Sequence, residues 1–251
     1  MTRRILVTGS ASGIGAALTA QLRAAGDEVI GLDRRDADIV CDLTSETQIA
    51  AAVAAAPDQL DGLALVAGVP GTSDPRTIFA VNTFAPQRLT KGLAIKLNEG
   101  ASIVAVSSIT AARCPLDTLA CDSWLAKPLD DLATQRDIGD GKAAYEYSKA
   151  LLNRWVQIAA HAFHAHGVRV NTVSPGAIET PILRDFEISI GEEHLDAAKR
   201  LTGRHGRPEE IANVIRFLLS AESGWINGAD IKVDGGLHAL RAAGKRIEGP
   251  A

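Results

Sequence analysis

Thr8-Gly9-Ser10-Ala11-Ser12-Gly13-Ile14-Gly15 is the stretch whose reading decides the fold. It follows a short apolar run, Arg4–Thr8, and opens an Ala/Leu-rich amphipathic segment, Gly13–Ala25, that Gly26 closes. A glycine-rich turn placed between a strand and a helix has a physical use. Gly9 permits the tight turn, Gly13 lets the backbone approach a pyrophosphate, and Gly15 allows the helix to pack close to the sheet. The helix N-terminus then turns free N–H groups and a positive dipole end toward the phosphates. Gly9, Ser12, Gly13, Ile14 and Gly15 are therefore predicted to contact a dinucleotide cofactor.

The same rhythm continues outward. Strands are expected at Glu28–Asp33, Asp38–Asp42, Gly62–Ala67, Ser102–Ser107, Val168–Val173 and Ala229–Val233. Helices are expected at Thr44–Ala56, Ala80–Leu97, Ala144–His166 and Pro208–Ser220. Gly62–Ala67 is apolar throughout, as a strand covered on both faces should be. Strands alternating with helices imply right-handed crossovers and an α/β fold, a doubly wound parallel sheet of Rossmann type with helices on both faces. There are no repeats and no Gly/Pro/Ser-rich linker, so residues 1–251 read as one domain. Two long polar-apolar segments interrupt the pattern as loops: Arg113–Asp140, an insertion, and Pro181–Gly206. The second carries Ile182, Leu183, Phe186, Ile188 and Ile190, too many apolar side chains for a solvated loop, and reads as a lid over the substrate.

Composition narrows the function. The chain has 251 residues, 46% apolar and 22% charged, with a net charge of −4. These are globular values, and no basic block exceeds two residues, which argues against nucleic acid as a partner. The absence of any long apolar run argues against a membrane partner. Three cysteines, Cys41, Cys114 and Cys121, suit free thiols in a reducing compartment, the cytoplasm. His161, His164 and His166 are spaced unsuitably for one metal face, and no metal is expected.

Asp33 ends the second strand, where a carboxylate can accept hydrogen bonds from both hydroxyls of an adenosine ribose. Its charge would repel a 2′-phosphate, so NAD is expected rather than NADP, although Arg34 and Arg35 offer guanidinium groups nearby. Asp42 and Leu43, after the third strand, are placed to flank the adenine. At the other end, Tyr145-Glu146-Tyr147-Ser148-Lys149 sets a tyrosine and a lysine on one helix face. A phenol is a poor base at neutral pH, and a nearby ammonium would favour the phenolate. Ser107-Ser108 ends the fifth strand, Asn82 starts a helix after the fourth, and Ser174-Pro175-Gly176 leaves the sixth. All converge on the carboxyl edge of the sheet, where open α/β folds bind ligands.

Taken together with the glycine loop, this set resembles the short-chain dehydrogenase/reductase family over nearly the whole chain, down to Val233-Asp234-Gly235-Gly236. Within it, Gly68-Val69-Pro70-Gly71-Thr72, Trp225-Ile226-Asn227-Gly228 and the 37 positions separating Ser108 from Tyr145 look like the bacterial three-alpha-hydroxysteroid dehydrogenase/carbonyl reductases and the coniferyl-alcohol dehydrogenases. The resemblance implies a catalytic set of Asn82, Ser108, Tyr145 and Lys149. Tyr145 would be the general acid/base and Ser108 would polarise the carbonyl. Lys149 would hold the nicotinamide ribose and depress the Tyr145 pKa, and Asn82 would hold a water joining Lys149 to solvent. It further implies that Ala67, Gly68, Pro175, Gly176, Ile178 and Thr180, with Tyr145 and Lys149, contact the cofactor. Where family members often read Asn-Asn-Ala-Gly, this chain has Leu65-Val66-Ala67-Gly68, and a truncated helix is expected before Asn82.

The implied activity is NAD-dependent oxidation of a bulky hydrophobic alcohol, or reduction of the ketone, of hydroxysteroid or aryl type. A non-catalytic nucleotide sensor or scaffold on the same fold is the alternative. Family tetramers use a bundle of the helices carrying Asn82 and Tyr145, which Arg113–Asp140 should obstruct. A homodimer through the last strand and the helix from Pro208 is therefore expected.

Overall fold

The computed structural model describes residues 2–135 and 138–247. Residues 136–137 of the insertion, residues 248–251 of the domain and the side chain of Ile190 lie outside that description. Seven strands, β1 (Arg4–Thr8), β2 (Glu28–Asp33), β3 (Ile39–Val40), β4 (Leu60–Leu65), β5 (Leu97–Val106), β6 (Arg169–Pro175) and β7 (Asp230–Val233), form one sheet in the order β3-β2-β1-β4-β5-β6-β7. Every pairing is parallel. Side chains alternate across a strand, and both faces are covered. Ile5, Val7, Ala64, Val104 and Val173 pack with Leu18 and Leu22 of α1 (Gly13–Ala24) and Ile211 and Ile215 of α10 (Pro208–Leu218). Leu6, Leu63, Ile103 and Val170 face the opposite way, onto Ile49 of α2 (Glu46–Ala55), Leu89 of α4 (Ala85–Leu93) and Val156 of α7 (Gly141–Phe163).

The strand order reverses between β1 and β4, and a crevice opens there at the carboxyl ends of the strands. Asp140 caps α7, its Oδ1 accepting the Ala143 N–H at 2.8 Å, and this fixes the start of the helix that carries Tyr145 and Lys149. Asn82 does not start a helix. Helix α3 (Pro75–Phe79) begins on Asp74, which accepts the Thr77 N–H at 3.0 Å. It runs through a π-helical turn, Ala80–Phe84, into α4, so Asn82 sits inside the turn. The helical stretch also stops short of Leu97, which already belongs to β5. The truncated helix before Asn82 is present as α3, five residues long.

Both segments read as loops are helical. The insertion folds into α5 (Thr118–Leu125) and α6 (Leu129–Ala133). Trp124 and Leu132 bury against α3 and α7, with Leu125 and Leu129 packed beside them. Residues 181–206 form α8 (Leu183–Ile190) and α9 (Glu192–Thr202). Glu192 and Glu193 in the first turn of α9 and Lys199 and Arg200 in its last complement the helix dipole. Helices this short, bounded by Gly191 and Gly203 at positive φ, leave little periodicity to read. A last helix, α11 (Leu237–Ile247), starts on the Asp234 carboxylate.

Candidate active site

The crevice is one cavity of about 480 Å³. Every predicted cofactor and catalytic residue lines it except Asn82, which stands behind Gly68. At the nucleotide end, Gly9 has φ +71°, and a Cβ there would lie 2.9 Å from the Ala67 backbone. A Cβ on Gly15 would fall 2.0 Å from the Gly9 carbonyl oxygen. Gly15 thus serves the turn itself, by close approach to Gly9, rather than helix–sheet packing. Gly9, Ser12, Gly13, Ile14 and Gly15 line the cavity at the N-terminus of α1, where free N–H groups suit a pyrophosphate.

Asp33 is held ready by two backbone donors: the Ala11 N–H reaches Oδ2 at 3.0 Å and the Arg34 N–H reaches Oδ1 at 2.7 Å. Each oxygen keeps a lone pair for a ribose hydroxyl. Arg34 also lines the cavity. Asp42 accepts the Thr44 N–H at 2.9 Å and the Thr44 hydroxyl at 2.8 Å. These two bonds hold its carboxyl below the usual carboxylate range.

At the reactive end, Tyr145 and Lys149 are buried. Burial pushes the phenol up to about 12, and the hydrogen bond from Ser108 works against the rise. Burial likewise pulls the Lys149 ammonium down to about 7. In the protein alone the phenol is raised overall, because burial outweighs what lowers it. The Lys149 Nζ is 5.7 Å from the ring centroid and donates to the Val106 carbonyl at 2.8 Å. The Asn82 amide is engaged through both its oxygen and its nitrogen. It accepts the Val69 N–H at 2.9 Å, and donates to the Val69 carbonyl at 3.0 Å and to Ser148 Oγ at 3.2 Å. Asn82 thereby ties the segment after β4 to α7. The Ser148 hydroxyl in turn donates to the Tyr145 carbonyl at 2.8 Å.

Phe186 of α8 meets the Tyr145 ring edge-on, with centroids 5.2 Å apart. Ile182 and Leu183 line the cavity beside it, while Ile188 faces solvent, 71% exposed, instead of inward. Both ends of the helical pair are pinned: the Glu179 N–H donates to the Gly206 carbonyl at 2.8 Å and the Gly206 N–H to the Ala177 carbonyl at 2.9 Å. Tyr147 is buried and stacks on Trp124 at 5.1 Å, which makes it a packing residue.

Leu195 of α9 and Leu237 and Arg241 of α11 also line the cavity. Sequence reasoning missed them. Leu237 and Arg241 are four apart on one helix face, a spacing that any amphipathic helix shows. Thr110, which bonds to Ser108 twice, was missed too, because only the local turn brings it there.

A family model described as "NAD dependent epimerase/dehydratase family" matches residues 5–180, and one described as "Enoyl-(Acyl carrier protein) reductase" matches residues 131–238. The chain is 37% identical to a coniferyl-alcohol dehydrogenase of Pseudomonas sp. (strain HR199 / DSM 7063), over 94% of this chain and 96% of that one. It is 33% identical to a 3-alpha-hydroxysteroid dehydrogenase/carbonyl reductase of Comamonas testosteroni, again over 94% and 96%. The crystal structure of the 3-alpha-hydroxysteroid dehydrogenase from Pseudomonas sp. B-0831 complexed with NADH superposes with a TM-score of 0.83 at 36% identity, covering 96% of this chain and 98% of that one. The chain belongs to the short-chain dehydrogenase/reductase family.

Proposed function

We propose that this protein is an NAD-dependent dehydrogenase/reductase. It moves hydride between the nicotinamide and a bulky hydrophobic alcohol or ketone of hydroxysteroid or aryl type. One observation carries the reading: Ser108 and Lys149 converge on Tyr145 in the same cavity that holds the nucleotide cradle and the Asp33 carboxylate. Bound NAD supplies the hydride acceptor. The ionised Tyr145 oxygen takes the proton from the alcohol oxygen, and in the reverse direction the Tyr145 hydroxyl gives it to the carbonyl oxygen. The Ser108 hydroxyl donates to that oxygen as charge develops on it. Val69, Phe186, Leu195 and Leu237 give the substrate end apolar walls, and the relatives' names fit an apolar alcohol or ketone. A panel of steroid and aryl alcohols and ketones, followed by NADH absorbance, tests the proposal. Turnover of bulky apolar members is expected, and binding of NADH without turnover of any member would support the sensor reading.

NAD rather than NADP is expected because the Asp33 carboxylate occupies the place of a 2′-phosphate. Asp33→Ala should raise kcat/KM with NADP relative to NAD by roughly tenfold, the effect of ~1.4 kcal/mol of relieved repulsion. A wild-type enzyme that already prefers NADP would show that Arg34 dominates.

The helical pair at 181–206 is proposed to be a lid that closes over the substrate and excludes water. The contact of Phe186 with Tyr145 supports this. Amide hydrogen exchange should slow across the pair when NADH and a ketone bind, and equal exchange with and without them would remove the lid from the mechanism.

The working assembly is proposed to be a homodimer. Helix α5 lies along α7, fastened by the Arg154–Asp122 pair at 2.6 and 2.8 Å, on the helix that a bundle interface would use. The opposite end of the sheet is open: β7 is an edge strand, Trp225 beside it is fully exposed, and Phe217 of α10 is 41% exposed. An unpaired edge flanked by exposed aromatic rings suits an isologous two-fold contact. Light scattering should give the mass of two chains, and a mass of four would refute the obstruction by α5. The free cysteines Cys41, Cys114 and Cys121 support a cytoplasmic setting.

A further inference from the structure

Ser108 stands at the end of β5, where the chain enters a 3₁₀ turn, Ile109–Arg113. Its hydroxyl oxygen accepts two hydrogen bonds from one residue: the Thr110 backbone N–H at 3.2 Å and the Thr110 side-chain hydroxyl at 2.9 Å. A serine hydroxyl has one proton and two lone pairs. With both lone pairs occupied by Thr110, the Ser108 oxygen has no acceptor capacity left and can only donate. The Tyr145 phenol lies within reach, and Ser108 favours its ionised form. Thr110 is itself buried, at 9% exposure, so water competes poorly for its hydroxyl. The backbone bond alone would cap the turn. The second bond adds nothing to the cap, and its effect falls on the orientation of the Ser108 proton.

We propose that Thr110 is a positioning residue: by donating its hydroxyl to Ser108 Oγ, it commits the Ser108 proton to donation, toward the Tyr145 oxygen in the free enzyme and toward the substrate oxygen once substrate is bound. The inference rests on the dehydrogenase reading of the site. A freely rotating serine can accept from the phenol as readily as donate to it, and accepting stabilises the wrong protonation state. Chains of hydrogen bonds also polarise one another, so a Thr110 to Ser108 to Tyr145 sequence strengthens the final donation as the oxygen gains charge.

Thr110→Val tests this with little other disturbance, because it keeps the shape and the backbone N–H that caps the turn. The expected result is a fall in kcat of roughly tenfold, the scale of one hydrogen bond, with KM for NADH unchanged. The rise of alcohol oxidation with pH should move to higher pH. Thr110→Ser restores the hydroxyl and should restore both kcat and the pH profile. Should valine pack poorly, Thr110→Ala removes the same hydroxyl and must show the same loss. In a Ser108→Ala background, Thr110→Val should have no further effect on kcat. Wild-type kcat in the valine and alanine variants, or an undiminished effect in the Ser108→Ala background, would overturn the inference and leave the dehydrogenase reading standing. A wild-type enzyme with no turnover on the steroid and aryl panel would overturn both.

Discussion

Replacing Tyr145 by Phe is expected to lower turnover by at least ~10²-fold, the scale of general acid–base catalysis, while NADH binding stays almost unchanged. The substitution removes one hydroxyl from a ring that is already buried and already packed edge-on against Phe186, so the fold should tolerate it. Steady-state rates beside a fluorescence titration with NADH separate the two effects. A variant that keeps half its activity would mean that another group moves the proton. The pH dependence has a definite sign. Burial holds the phenol up at about 12, so at neutral pH Tyr145 is protonated and ready to act as an acid on a ketone. Alcohol oxidation needs the ionised form and should therefore rise with pH through the neutral and mildly alkaline range. Ketone reduction should show no such rise.

Lys149→Met should show opposite effects on activity and on stability. Turnover should fall by about 10² or more, because the side chain next to Tyr145 loses both its charge and its donor. The stability argument runs through linkage. The folded protein holds the ammonium down to about 7 against an ordinary 10.5, so between those values the unfolded chain binds more protons than the folded one. Wild-type stability should consequently increase as pH rises from 7 toward 10.5, approaching a slope of roughly 1.4 kcal/mol per pH unit in mid-window. Below pH 7 that contribution is absent. Denaturant unfolding at several pH values should show this slope in the wild type and a flatter one in the methionine variant. Equal slopes would mean that Lys149 is solvated in the folded protein.

Most of the strand–helix alternation could be read from residue types. The runs Arg4–Thr8 and Glu28–Asp33 are β-branched, short and bounded by Gly or polar residues, and β1 and β2 occupy those positions. The order of the seven strands also follows from the pattern, since right-handed crossovers leave few alternatives. The cavity gathers Gly9, Asp33 and Ser108 because each ends or follows a strand at the same edge, a placement that strand–helix alternation forces, while Tyr145 in the second turn of α7 and Thr180 between β6 and α8 reach that edge from neighbouring segments.

What could not be read depends on contacts between distant residues or on very local geometry. The π-helical turn around Asn82 adds a residue to a helix without any compositional mark. α5 and α6 are too short for periodicity, and they hold their shape by burying Trp124 and Leu132 against α3 and α7. The closing of the cavity by Leu237 and Arg241 follows from the path of the chain after β7. Charges misled for a further reason. A lysine four residues from a tyrosine suggests a lowered phenol, yet both groups are buried, and in the protein alone burial raises the phenol and lowers the ammonium.

The central claim is hydride transfer at Tyr145 between an apolar alcohol and NAD. It is tested most directly by following the hydrogen itself. An alcohol of the panel that is turned over, deuterated at the carbinol carbon, should deliver its deuterium to the NADH formed in a single turnover, seen by mass spectrometry, and Tyr145→Phe should slow that transfer by ~10² or more. Tight binding of NAD with no deuterium in the nucleotide from any alcohol of the panel would contradict the account and leave a protein that binds the cofactor without using it.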